Sequence, residues 1–215
     1  MELTFEYWYL FPIAILIATL AMASGVGGAV FFSPLFMLAL KLDPRIAVGT
    51  ALITELFGFS SGVLAYYRTK LIDFKLAANL LIFSVPAAIA GAYYADLFPD
   101  IVLKTIFATG LIFIGYQIFT SWRKEERAKH EQNREKEFSH HYESELTDRE
   151  GKVYRYTVCN KNMGRFFAGI GGAFVGMISV GLAELQEYHL MAKCKVPGPV
   201  AVATSVFVLV VTVLV

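Results

Sequence analysis

From Tyr7 to Leu40 the chain runs for 34 residues without an Asp, Glu, Lys or Arg. As one straight α-helix this stretch would measure about 51 Å, whereas the hydrocarbon core of a bilayer is only about 30 Å thick. The stretch is too apolar for a soluble helix and too long for one upright span. It therefore predicts a broken or re-entrant pair of helices, or one strongly tilted helix. Gly25-Val26-Gly27-Gly28 lies near its middle. Glycine takes backbone angles that other residues avoid, and a helix broken in lipid is tolerated only where protein or a water-filled cavity satisfies the freed backbone groups. N–H groups exposed beside a half-helix N-terminus make a cradle for an anion without a buried cation.

Further charge-poor stretches follow. Ile46 to Tyr67 has a single charge, Glu55, while Leu76–Ala95, Thr105–Trp122, Phe166–Ala183 and Val196–Val215 have none. Each is close to the length of a transmembrane helix, and the alternation of a β-barrel strand is missing. The expected fold is an all-α, polytopic transmembrane helical bundle. With 56% hydrophobic residues and a net charge of +1, no basic excess points to nucleic acid. Ala21-Met22-Ala23-Ser24 resembles a signal-peptide cleavage site, but Glu2 and Glu6 precede it with no basic residue, so retention is expected. Cys159 and Cys194 form no spaced metal motif and are expected as free thiols.

Charge is concentrated between Arg123 and Arg165, with 11 Lys/Arg and 9 Asp/Glu in 43 residues. This divides the chain into a first membrane repeat (1–122), a charged linker (123–165) and the start of a second repeat (166–215). Arg68, Lys70 and Lys75, together with the linker, outweigh Lys41, Arg45 and Lys104 on the other side, which places 68–75 and 123–165 in the cytoplasm of a multi-pass cell-membrane protein. Within the linker, Arg123–Glu137 reads as a solvated helical extension. His140–Thr147 and Lys152–Val158 around Asp148–Gly151 suggest a β-hairpin. His140-His141 has no third ligand at useful spacing and reads as a solvated pair. Tyr7, Trp8, Tyr9 and Trp122 suit a membrane interface.

Sliding the chain by 154 positions matches Val26-Gly27 with Val180-Gly181, Ala29 with Ala183, Met37 with Met191, Lys41 with Lys195, Ala47-Val48 with Ala201-Val202, and Thr50 with Thr204. Gly169-Ile170-Gly171-Gly172 echoes the first glycine cluster at another offset. Two halves with glycine-broken segments are the mark of secondary transporters. If Tyr7–Leu40 is re-entrant, the repeats are inverted in the membrane; if it crosses once, they are parallel. An N-terminus with two Glu and no basic residue favours inversion.

Gly25-Val26-Gly27-Gly28, Pro34 and Ala47-Val48-Gly49-Thr50 resemble the signature of the sulfite exporter TauE/SafE family of membrane transporters. Tyr67-Arg68-Thr69-Lys70 with Ile72-Asp73, and Pro86-Ala87-Ala88-Ile89-Ala90-Gly91-Ala92, continue the likeness. So do Ser179–Tyr188 and Val200–Ser205, and the resemblance covers the chain outside the linker. It implies movement of sulfite, organosulfonates and related small anions across the cell membrane. Ala29 stands where many relatives carry a further glycine. The family would continue beyond Val215, so the second repeat is expected to be truncated.

Gly25, Gly27, Gly28 and Gly181 are the expected anion-binding glycines. Thr50 and Thr204, at matched positions, would donate hydroxyls from opposite sides of one site, with Ser205 as a weaker version; back-bonding to the preceding helical turn is the plain alternative. Glu55 is expected as a proton relay, set against a protonated Glu bonded to a neighbouring helix. Glu184 and Glu187 share a helix face and would bind a coupled proton or cation, with Gln186 and His189 beside them; an interfacial turn is the alternative. Asn79 reads as an interhelical hydrogen-bonding residue. No catalytic constellation, metal set, cofactor site or nucleotide loop is evident. The expectation is a secondary transporter working by alternating access at a midplane site, its partners a small anion, a coupled proton or cation, and the bilayer. The rival is a non-transporting scaffold acting through the charged linker.

Overall fold

The computed structural model describes residues 8–24, 26–95, 97–99, 101–102, 105–106, 108–110, 112, 115–116, 144–156 and 161–215. All of Arg123–Glu143, with the histidine pair, lies outside them, as do Gly25 and Cys159. Among the described residues, the helices whose bounds are defined are α1 (Leu10–Ser24), α2 (Ala29–Ala39), α3 (Pro44–Thr69), α4 (Phe74–Ala95), α5 (Lys161–Ile178), α6 (Leu182–Glu187) and α7 (Gly198–Val213). A π-helical turn, Tyr188–Lys193, continues α6. Arg45–Thr69 and Phe74–Ala95 are long and apolar enough to cross a membrane. Ile53, Phe57, Ile82 and Ile89 turn outward from them, each more than half exposed. Such faces suit hydrocarbon rather than water. The fold is all-α apart from one small hairpin.

Tyr7–Leu40 is broken, not tilted. The break ends α1 at Ser24, and α2 starts at Ala29 with Gly28 as its N-cap. The two helices run in opposite senses along α3. The end of α1 lies beside the later turns of α3, where Tyr66 Oη donates to the Met22 carbonyl at 3.3 Å. Ala14, Ile17 and Ala18, earlier in α1, pack with Ala29, Phe32 and Ala51. The turn between α1 and α2 therefore reaches the middle of α3 at Glu55 and Phe59.

In the second half, α5 and α6 form a comparable hairpin. Gly171 approaches Leu182, and Gly164 approaches the His189 ring, so the two segments are antiparallel. The turn at Ser179–Gly181 uses two residues of positive φ, Ser179 at 63° and Gly181 at 112°. Ser179 Oγ donates to the Val48 carbonyl at 3.2 Å, near the start of α3. The other end of α5 lies beside α4 near Asn79 and Leu80, toward the 70–73 link that leaves the end of α3. The two hairpins thus approach from opposite ends of α3. Gly169–Gly172, the echo of the first glycine cluster, lies inside continuous α5 and breaks no helix.

Gly171 and Gly172 serve close packing instead, Gly171 against the Gly181–Leu182 backbone. Among the described residues, α4 and α5 run side by side in the most extensive helix contact. A Cβ on Gly172 would strike the Ser84 backbone, one on Gly176 the Ala88 backbone, and one on Gly91 the Ala173 backbone. Small residues let two helix backbones approach this closely where hydrophobic segregation from lipid drives nothing. Ser84 Oγ and Thr212 Oγ1 hydrogen-bond at 3.0 Å, tying α4 to α7.

Backbone geometry recurs at the 154-residue offset. Leu40 and Cys194, the C-caps of α2 and of the π-helical turn, have φ,ψ of −98°,−4° and −97°,−4°. Lys41 and Lys195 follow with φ of 51° and 53°. Leu42 N donates to Phe36 O, and Val196 N to Leu190 O. Asp43 and Pro197 then cap α3 and α7, each with a proline in the first turn.

β1 (Ser144–Thr147) and β2 (Val153–Tyr156) pair antiparallel, with Ser144 opposite Tyr156. The hairpin rests on the α3–α4 link. Arg149 N donates to Thr69 O at 3.1 Å, and Tyr156 Oη to Asp73 Oδ2 at 2.7 Å. Asp73 Oδ1 accepts the backbone N–H groups of Lys75 and Leu76, capping α4. Burial, and next the hydrogen bond to Asp73, push the Tyr156 phenol above its ordinary range. Cys194 is disulfide-bonded, which corrects its reading as a free thiol. Sequence separation concealed the antiparallel packing of α5 against the turn that carries Cys194.

Candidate functional site

The two hairpin tips meet on one carboxylate. Glu184, in the first turn of α6, accepts the Gly27 amide on Oε1 and the Gly181 amide on Oε2, both at 3.0 Å. Its bond to Gly181 is the backward reach of a third-position carboxylate to its own N-cap. Its bond to Gly27 crosses to the other half of the chain. The amides of two glycines 154 positions apart therefore converge on a single anionic group.

Glu55 enters from α3. Its Oε1 accepts the Ala29 amide at 3.3 Å and lies 3.0 Å from where a Gly27 Cβ would stand; Glu184 Oε1 lies 3.2 Å from the same point. No residue larger than glycine fits at position 27 without moving a buried carboxylate. Gly181 is constrained independently, because its φ of 112° is strained for any residue with a side chain. Val26, Val30, Ile178 and Val180 form an apolar cluster around the tips. Glu55, Glu184 and Glu187 are all buried, at 2%, 6% and 8% exposure.

Buried polar atoms remain unpartnered on the elements that meet here. They are Ser33 Oγ on α2, Glu55 Oε2 on α3, both side-chain amide atoms of Gln186 and Glu187 Oε1 on α6, and Ser205 Oγ on α7. An unsatisfied buried polar atom costs roughly 1–3 kcal/mol, and so many imply water, protons or a polar ligand in this region. Among the described residues no group of His, Cys, Asp and Glu could hold a metal ion.

The structure brings Gly27, Gly181, Glu55 and Glu184 together. Gly28 sits at the same tip but faces Phe32 and Phe59, and Gly25 lies outside the described residues. Thr50 and Thr204 are not joined. Thr50 is exposed and donates to the Ile46 carbonyl at 2.7 Å, the local alternative for a membrane threonine. Thr204 is buried and accepts the Asp73 amide at 3.1 Å, beside the hairpin. Ser33 was missed, although it is one of few polar residues in Tyr7–Leu40 and pairs with Glu187 at the 154-residue offset. Ser179 was read only as part of a motif. Asn79 does bond between helices, to Arg165 on α5.

Apolar helices long enough to cross a bilayer, two broken segments meeting tip to tip, and buried polar groups at that junction define an α-helical membrane transporter. The profile of the sulfite exporter TauE/SafE family matches residues 10–215, and the chain belongs to that family. It is 26% identical over 204 residues to the probable membrane transporter protein YunE of Bacillus subtilis, covering 92% of this chain and 71% of that protein. It is 41% identical over 87 residues to the probable membrane transporter protein YjnA of the same organism, covering 39% of this chain and 32% of that one. No solved structure matches it.

Proposed function

We propose that this chain is the core of a secondary transporter for small sulfur-containing anions such as sulfite or organosulfonates, with the substrate bound where the hairpin tips meet. The carrying observation is the convergence of the Gly27 and Gly181 amides on the Glu184 carboxylate. Two amides that hold a carboxylate have the geometry to hold a sulfonate or sulfite oxygen. Family membership and the transporter relatives support this reading. The matched backbone geometry at the 154-residue offset, with hairpins entering from opposite ends, supports an inverted repeat and alternating access around the tips. The charge on Arg68, Lys70 and Lys75 supports a cytoplasmic side for 68–75 and the linker.

The carboxylates set the coupling. Glu55, Glu184 and Glu187 surround the junction, and like charges held close in an apolar setting repel an entering anion by several kcal/mol. An anion enters when protons neutralise these groups; protonation of Glu184 also weakens its hold on the two amides, which were charge-assisted bonds. Anion and proton then move together, and Glu55 and Glu184 carry the proton. No bond in the substrate is made or broken, so the function is transport rather than catalysis.

Counterflow of radiolabelled sulfite into proteoliposomes that carry the purified protein tests this. Uptake that unlabelled sulfonates compete away, and that rises as the pH on the loading side falls, is expected. Glu184→Gln and Glu55→Gln should flatten that pH profile. A folded protein that moves no sulfite or sulfonate would leave the scaffold reading in its place.

A further inference from the structure

At the end of the molecule where α4 and α5 begin lies a cation that the transport site does not use. Arg165 sits one turn into α5. Its Nε and Nη2 donate to Asn79 Oδ1 at 2.9 and 2.7 Å, and its Nη1 donates to Asn162 Oδ1 at 3.3 Å. Among the described residues no carboxylate pairs with it. Of the five N–H donors of a guanidinium, these bonds engage three, and the Asn79 and Asn162 side-chain amides add N–H groups of their own. The cluster is thus rich in donors and short of an anion.

Its surroundings narrow the choice of anion. The guanidinium lies 5.5 Å over the Phe83 ring. Beside it opens a groove of about 510 Å³ bounded by Phe83, Asn162, Arg165, Phe166, Gly169 and Ile170. Phe166 is 63% exposed on this face. Arg165 stands four residues beyond Lys161, the start of α5, or about 6 Å of helical rise. A free inorganic anion would use the guanidinium but not the apolar wall. A phospholipid uses both.

We propose that Arg165, with Asn162 and the Phe83–Phe166 groove, forms a binding site for an anionic phospholipid, its phosphate on the guanidinium and an acyl chain along the apolar wall. Basic pockets between membrane helices commonly recognise such headgroups. The site lies outside the tip junction and requires no transport.

Thermal unfolding of the purified full chain in detergent tests the assignment, with phosphatidylglycerol, phosphatidylcholine or inorganic phosphate added at equal concentration. Phosphatidylglycerol should raise the midpoint by several degrees, and the other two should not. Arg165→Gln should abolish the shift. Gly169→Leu should abolish it as well, since a Cβ at Gly169 meets nothing within 4 Å and a larger side chain enters the groove with Arg165 intact. This second variant decides the matter if Arg165→Gln does not fold. Equal shifts with phosphatidylcholine, or an undiminished phosphatidylglycerol shift in Gly169→Leu, would overturn the site. A shift reproduced by inorganic phosphate would overturn the lipid as its occupant.

Discussion

Gly181 and Gly27 are glycines for different reasons, and substitution should separate them. At Gly181 the constraint is backbone: φ is 112°, and a residue with a Cβ held there costs about 1–3 kcal/mol. At Gly27 the constraint is space, because an added Cβ presses on both Glu55 and Glu184. Gly181→Ala should lower the unfolding midpoint by several degrees, whereas Gly49→Ala, with open space at its Cβ, should lower it by little or nothing. Equal effects would mean that the tip conformation is not under strain. Thr50 illustrates how a sequence match misleads. Its hydroxyl is used by its own helix, so Thr50→Val should leave sulfite uptake within about twofold of the parent. A larger loss in a folded variant would return Thr50 to the site.

Among the elements, the α4–α5 pair positions the second tip. Gly176 packs directly on the Ala88 backbone, so Gly176→Leu forces the helices apart and should cost about 1–3 kcal/mol, as overpacking does. Unfolding in detergent would register the loss; an unchanged midpoint would show that the helices can separate freely. The β1–β2 hairpin depends on a pH-sensitive link. The Tyr156 phenol, raised by burial and by Asp73, stays neutral in the docked hairpin. Below the ordinary tyrosine range near 10, docked and undocked states bind the same proton and the full stabilisation is present. Above it, the undocked phenol ionises first and docking weakens as pH rises. Proteolysis of the hairpin should accelerate above about pH 10, and Tyr156→Phe should remove that acceleration while raising cleavage at neutral pH. A pH response retained by the phenylalanine variant would assign it elsewhere.

At the scale of the whole molecule, the opposite courses of the two hairpins make a prediction about sidedness. Lys41 and Lys195 share a backbone conformation, yet Lys41 precedes α3, while Lys195 lies toward the end of α3 where Lys70 sits, as the Asp73–Thr204 contact requires. With Cys159 and Cys194 replaced by serine, single cysteines at Lys70 and Lys195 should react with a membrane-impermeant maleimide from one side, and a cysteine at Lys41 from the other. Labelling of all three from one side would exclude inverted halves.

Much of this was present in the one-dimensional pattern. An uncharged run longer than a bilayer, interrupted by glycines, pointed to a broken or re-entrant pair or a tilted helix, and the structure has the break. Tyr, Val and Thr around Asp148–Gly151 outlined the strands of the hairpin. Glu55 and Glu184 stood out because a carboxylate in an apolar run needs a reason to be there. What the pattern left undecided was which groups meet. Gly169–Gly172 has the composition of a break, but the backbones that face Gly171 and Gly172 make those two positions packing contacts. Thr50 matched Thr204 in register, yet a threonine's choice between its own helix and a distant partner depends on which way its face turns. The bridge from Gly27 to Glu184 spans most of the chain, and only the antiparallel hairpins bring those residues within hydrogen-bond reach. Local composition determined where the helices run and where they break; long-range packing decided which polar groups those breaks present to one another.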